Sequence, residues 1–462
     1  MSSVGTSGLA GPIFPLPYAP PDRLSWRGIA AALRTNALEA FSRRAFEEDV
    51  VTRNFFGREQ IILSRPAAIR HVLVENPENY RRTAAVVRVL RPIIGDGLFL
   101  AEGEEWRQQR RTVAPAFAPR TIPLLAPHIA SAADGLVAEL ERLPREEVDL
   151  LSRLQRVALD IAGSSMFSLE MEQFGASMRA EILHYAERLG RPALLDFLVP
   201  RGLPSPRDFG RFRFRRRWLR LIERLVIARQ EQASPQAPRD LLDLLAAGLA
   251  AEAEGGAVPA RRLADQVATM IVAGHETTAV ALFWSLYLIA ASPAVQERVA
   301  SEALPADLRP SVAADALPAL PITRAVVQEA LRLYPPGFSI VRQARAADRT
   351  EGVTIPANAV VLIVPWILHR HRQLWDEPDR FDPGRFLPDA TPPDRFAYLP
   401  FGAGPRSCVG AQFALTEAVL VLARLVQAFR IELAAGPPPL PVAVITLQPD
   451  HAPGFRLRPR RG

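Results

Sequence analysis

The chain has 462 residues, 48% of them hydrophobic, enough to bury a large core. Its single cysteine excludes an internal disulfide framework and suits a reducing compartment. The formal charge is +7 and lysine is absent, so all 56 basic residues are arginine, a balance open to nucleic acid, an anionic membrane or an acidic protein partner.

Residues 1–47 read as irregular, with one helix around Trp26 to Phe41. Val50–Phe56 and Gln60–Ser64 alternate as strands about a turn at Gly57. Pro66 opens a helix over Ala67–Asn76, and 84–98 reads as a loop. Helical periodicity then dominates: Glu104–Pro115, Pro123–Arg142, Asp149–Phe167, Met171–Arg191, Phe209–Gln232, Arg239–Glu252, a very long helix Pro259–Ala291, and Thr323–Leu333. Strand patterns return at Ser339–Gln343, Val353–Ile355 and Val360–Pro365. A last helix near 410–430 precedes strand-like segments Ala443–Gln448 and Gly454–Arg458. The pattern is mainly α with a smaller β-rich region, an α+β chain. The helical body covers about 104–335 and 410–430, and the β-rich part about 48–64, 339–365 and 440–460.

Length alone allows two or three domains, but no linker cuts the chain, so 1–462 reads as one domain. The low-complexity spots, Ala233–Ala237 and Ala246–Gly256, are short, and the 43 prolines are dispersed. No basic-then-apolar leader opens the chain, and the apolar stretch Ala279–Ala291 is too short to span a bilayer; a cytoplasmic protein is expected. The densest basic run, Arg211 to Arg220, reads as a helix with a solvated face, with an arginine-rich nucleic-acid segment as the alternative.

The lone cysteine lies in Phe401-Gly-Ala-Gly404-Pro-Arg406-Ser-Cys408-Val-Gly410. The pair Gly402/Gly404 is not a dinucleotide loop, because Ser407 stands where the third glycine belongs and no βαβ unit surrounds it. In mid-helix, Ala273-Gly274-His275-Glu276-Thr277-Thr278 combines a glycine and paired threonines, both of which weaken a helix. His275 has no second histidine at i+4 and reads as a packing residue. Glu329-Ala-Leu-Arg332 places a carboxylate and a guanidinium on one helix face, and Trp106-Arg-Gln-Gln-Arg110 an indole and a guanidinium one turn apart.

Together these resemble the cytochrome P450 family, in its order from Trp106 to Gly410, across essentially the whole chain. The resemblance implies the P450 fold, with haem b between the long central helix and the helix after Cys408. It makes Cys408 the iron ligand, shielded by Phe401, with Gly410 shaping the loop and opening a helix whose dipole favours the negative sulfur. Trp106, Arg110, Arg342 and Arg406 would contact the haem propionates. The Thr277 hydroxyl would hydrogen-bond activated oxygen and Glu276 would relay protons to it. Glu329, Arg332 and Arg385, the last from a Pro-rich segment, would form a buried structural triad. Ala273, Phe338, Ile340 and Ile445, the 84–98 loop and the Leu189–Asp208 connection, the last acting as a lid, would wall the pocket. Glu replaces the commoner Asp at 276, and His369-Arg370-His371 stands where His-Arg-Asp is frequent.

The implied activity is insertion of one atom of O2 into an apolar lipid, terpenoid or aromatic substrate. Electrons would come from a separate ferredoxin or flavodoxin at the proximal surface, near Arg107 and Arg111. The protein would be a monomer that neither spans a membrane nor binds nucleic acid, and it would lack the microsomal anchor and any fused redox domain. The alternatives are a haem-thiolate ligand sensor without turnover, and a nucleic-acid binder acting through Arg211–Arg220.

Overall fold

A computed structural model describes residues 9–143, 147–168, 174–199, 203–230, 240–252 and 260–460. A helical body surrounds one long helix, Ala260–Ala290, and small sheets accompany it. The long helix is apolar on most sides: Val267, Ile271, Val280, Leu282, Phe283 and Leu286 are all fully buried, as a core helix requires. It packs against Leu150–Phe167, Pro321–Leu333 and Ala411–Ala428.

Most expected helices are present with ends shifted by a few residues. The segment 84–98 is a correction: Ala84–Ile94 is a helix, not a loop. Thr83 caps it by accepting from Val86 N at 3.3 Å, and Gly95 (φ 67°) ends it. Pro92 lies in its last turn and does not break it. The helix Pro293–Ala303 and the strand Phe429–Leu433 were not anticipated. The helix expected over Met171–Arg191 is described from Gly175, and 169–173 lie outside the described residues, as do 200–202 of the Leu189–Asp208 connection, all of Ala233–Ala237 and 253–256 of the second low-complexity spot.

The main sheet has five strands, in the spatial order Val50–Phe55, Arg58–Leu63, Val360–Ile363, Ile340–Ala344, Tyr80–Arg81. Gln60 to Ile62 pair in parallel with Val360 to Leu362, and the other neighbours are antiparallel. The tail read as one strand over 443–448 is instead a hairpin, Pro441–Ala443 with Leu447–Pro449, turning at Val444-Ile445-Thr446. Gly454–Pro459 pairs with Phe429–Leu433.

Helices Pro119–Glu141, Arg262–Ala290 and Ala411–Ala428 are long and apolar enough to cross a membrane by length and composition. The expected limit at Ala279–Ala291 was too strict, because buried polar residues such as His275 and Glu276 lie within an otherwise apolar helix. The apolar windows of the last two are 78% and 67% buried inside the protein, so packing accounts for their composition.

The Arg211–Arg220 run lies on the helix Pro206–Gln230. Arg211 is fully buried, paired with Asp196 at 2.6 Å and Asp208 at 3.3 Å. Arg215 pairs with Asp265 and Arg217 with Glu181, both at 3.1 Å. Arg211 and Arg215 are therefore internal wiring, and Arg213, Arg216, Arg217 and Arg220 form the solvated face.

Candidate haem-thiolate site

Cys408 ends a tight loop. Gly404 has φ 72°, and a Cβ there would lie 2.0 Å from the Leu73 carbonyl oxygen, so only glycine fits. Cys408 N donates to Phe401 O at 2.9 Å and Ser407 N to Gly404 O at 3.1 Å, closing the loop. Gly410 needs no such freedom: its φ is −86°, and a Cβ would only touch Phe117 at 3.8 Å. What it supplies is its N–H, which hydrogen-bonds the sulfur.

Burial pushes the Cys408 thiol up, while the Gly410 N–H and the Arg110 charge pull it back toward the thiolate. Protein crowds this sulfur enough to desolvate it, yet the residue is exposed. Both hold if the sulfur faces interior space rather than bulk water. Arg110 Nη1 is anchored on Ser407 O at 2.6 Å, so its charge is fixed beside the loop.

Arg406 lies over the Trp106 ring at 4.6 Å and donates to Ala101 O at 2.9 Å. Arg342 and Arg82 stand near it. Burial holds Arg82 well below the ordinary guanidinium range, and Arg342 and Arg406 repel it further. Burial and the Arg406 charge lower Arg342 to about 10. Glu102 is the carboxylate that acts on all three, and it also accepts the Arg82 backbone N–H at 2.8 Å and Arg345 at 3.2 Å. Three cations around one carboxylate suit a ligand that brings two more carboxylates, as haem does. Arg82 was missed from the sequence: in a chain whose every basic residue is arginine, Arg81-Arg82 carries no signal of its own.

The central helix runs unbroken through Gly274, and the Thr277 hydroxyl donates to Ala273 O at 2.5 Å. Ala273 is exposed and Thr277 half-buried on this face. Glu276 points elsewhere. It is 6% exposed, and burial raises its pKa to about 7. Its carboxylate accepts from Gln448 and hydrogen-bonds Thr446, both on the hairpin. No hydrogen bond joins Glu276 to Thr277 among the described residues, so the structure does not bring this expected pair together. His275 is buried, and desolvation holds it neutral with a pKa of about 4 although a hydrogen bond to the Gln155 backbone acts the other way.

Phe338, Ile340 and Ile445 are half-buried. Ile340 lies beside the cysteine loop, 3.7 Å from where a Gly402 Cβ would be. Ile445, at the hairpin tip, packs so closely on Gly190 that a Cβ there would come within 2.5 Å of it.

Glu329 and Arg332 are wholly buried and joined by two bonds of 2.7 and 2.8 Å. Arg332 also donates to the carbonyls of His369, Pro378 and Arg380, and Glu329 accepts from Asp382 N at 2.8 Å. Arg385 comes to 3.7 Å from Glu329 and spends its hydrogen bonds on the Asp376 and Glu377 carbonyls. His369 completes the network: Nδ1 donates to Arg332 O at 3.1 Å and Nε2 accepts from Leu399 N at 2.8 Å. Burial and the Arg332 charge lower it to about 3, so it is neutral, as that tautomer requires. It ties the Glu329 helix to the strand of chain entering the cysteine loop. Arg107 and Arg111, expected to face a redox partner, are exposed, but Arg107 pairs with Glu78 and Glu104 and Arg111 with Glu104.

The cytochrome P450 family profile matches residues 19–451. The chain is 30% identical to cytochrome P450 97B2 of Glycine max, covering 82% of this chain and 75% of that one. It is 30% identical to cyclooctatin synthase of Streptomyces melanosporofaciens, covering 95% and 91%. It is 28% identical to cyclooctat-9-en-7-ol 5-monooxygenase of the same organism, covering 92% and 94%. Among solved structures, the haem domain of cytochrome P450DA matches with a TM-score of 0.81 over 97% of this chain and 99% of that one, at 24% identity, a likeness of fold. The chain belongs to the cytochrome P450 family, and it is a haem-containing monooxygenase of that family's α+β fold.

Proposed function

We propose that the protein oxygenates a terpenoid-like apolar substrate, with Cys408 as the iron ligand. Bound haem supplies the activation of O2. The chain's own residues do the rest. Gly410 N–H and Arg110 hold charge on the sulfur, Phe401 screens it, and Trp106, Arg342 and Arg406, with Arg82 added, hold the propionates. Thr277 presents its hydroxyl to the oxygen face, and Glu276 delivers protons there. Ala273, Phe338, Ile340 and Ile445 exclude water and position the substrate. Glu329, Arg332 and Arg385 fix the loop. Electrons arrive from a separate cytoplasmic ferredoxin or flavodoxin-type donor.

The observation that carries this reading is the cation cluster of Arg82, Arg342 and Arg406 beside a thiol supported by Gly410 and Arg110. The substrate class is supported by the two Streptomyces relatives, whose names specify cyclooctatin and cyclooctat-9-en-7-ol. The test is turnover with surrogate ferredoxin and flavodoxin chains against cyclic terpene alcohols, fatty acids and aromatics. Oxygenated product from the terpenes is expected; product from fatty acids or aromatics alone overturns the substrate class.

A further inference from the structure

The hairpin Pro441–Ala443 and Leu447–Pro449 touches two regions that the reaction must coordinate. On one side its tip carries Ile445, which packs against Gly190 and belongs to the proposed pocket wall. On the other side it carries Thr446 and Gln448, whose side chains meet the Glu276 carboxyl. Gln448 Nε2 also bonds Thr446 Oγ1 at 3.2 Å, so the three form a closed hydrogen-bonded set. Thr446 is 8% exposed and Glu276 6%, so water competes little with these bonds.

The hairpin is fixed along its first strand and at the residue that follows its turn. Asn36 accepts from Ala443 N at 3.0 Å and donates to Pro441 O at 3.1 Å. Leu447 N donates to Pro336 O at 3.1 Å. Between these anchors the turn Val444-Ile445-Thr446 is closed by one backbone bond of 3.3 Å, so the tip is the part free to shift. Consecutive helical residues point about 100° apart. Glu276 in its present rotamer therefore faces the hairpin while Thr277 faces the open side with Ala273.

We propose that this hairpin is a latch on the acid of the proton relay: Gln448 and Thr446 hold the Glu276 carboxyl away from Thr277, and an apolar substrate pressing on Ile445 releases it. Gln448 and Thr446 are positioning residues, and the inference rests on the reading of Glu276 as the proton donor. Its consequence is economy of reductant: protons reach the oxygen face only when the pocket is filled. The environment of Glu276 is simple enough to read, because among the described residues no charged side chain acts on it.

The test is infrared spectroscopy of the haem-loaded protein, as a difference spectrum across the Glu276 titration. The carboxyl band is assigned by its loss in Glu276→Gln. In Gln448→Ala and Thr446→Val the C=O stretch is expected to move to higher wavenumber, and in Thr446→Ser to return to its original place. A band unmoved in both Gln448→Ala and Thr446→Val overturns the hold. Ile445→Trp stands in for a filled pocket, and Gly190→Ala presses a Cβ directly on Ile445; both are expected to move the band the same way. A band unmoved in both overturns the link between pocket and latch. Equal carbon monoxide difference spectra in all variants establish that the haem site is intact. Coupling is measured separately: Glu276→Gln with an unchanged product-to-peroxide ratio removes Glu276 from the relay, whatever the infrared result.

Discussion

Cys408 carries two opposing influences, and their balance defines its role. Burial alone would keep it a neutral thiol, whereas the Gly410 N–H and Arg110 favour the anion. Burial outweighs those supports, so the thiolate is expected only with a metal to bind it. Cys408→Ser should therefore abolish the red-shifted carbon monoxide band of the reduced protein; a retained band would exclude Cys408 as ligand. Glu276 makes a stability prediction of the opposite kind. Its folded pKa is about 7 against an ordinary 4.5, so between those values the folded state holds a proton that the unfolded state has lost. Stability thus falls as pH rises from about 4.5 to about 7, by about 3 kcal/mol at most from this group. In Glu276→Gln that part of the slope should vanish, which melting temperature against pH for the two proteins will show. Thr277→Ala leaves the helix intact, since it only removes a bond to Ala273 O, and is expected to raise peroxide at the expense of product.

The helix Pro321–Leu333 shows how an element can hold a loop that it hardly touches. Its Glu329 and Arg332 pair with each other and are otherwise satisfied by backbone groups of 369–382, and His369 passes the constraint on to Leu399. Glu329→Ala leaves Arg332 buried without its counter-charge, a loss of about 3–5 kcal/mol. Purified Glu329→Ala should contain little haem and melt earlier, as read from the Soret-to-280 nm ratio and a thermal scan. His369→Leu should retain more haem than Glu329→Ala, because it strands only neutral groups. The Glu-x-x-Arg pair was legible from sequence because its spacing is local. Arg385 was legible only through resemblance, and His369 was not assigned a role, because its partners lie 37 and 30 residues away. The same locality explains the element errors. Long amphipathic helices announced themselves by period. The helix 84–94 was hidden by Pro92, and the hairpin 441–449 by the shortness of its strands. The roles of Glu276 and Thr277 came from resemblance, yet neighbours on a helix point apart, and only the fold reveals that the hairpin holds the acid.

Across the whole molecule, Arg82, Arg342 and Arg406 are drawn from three distant parts of the chain and held close despite mutual repulsion. In the proposed role, folding bears that cost before haem arrives, and haem carboxylates would then relieve it. Ligand binding to the folded state alone adds stability by mass action, so in this role the cluster would convert a strained apoprotein into a stable holoprotein. This gives one substitution opposite effects in two states. Arg82 is 7% exposed and stacked 4.3 Å from the Phe99 ring, so a methionine of similar length can occupy its place. Arg82→Met should stabilise the apoprotein by about 1–3 kcal/mol, as expected when a poorly compensated buried charge is replaced by an apolar group. In the holoprotein it should speed haem loss, measured by transfer to excess apomyoglobin, and lower the melting temperature relative to the parent. A change of the same sign in apo and holo forms would mean that Arg82 serves packing alone. Opposite signs would assign it to the anion that the other two arginines also await.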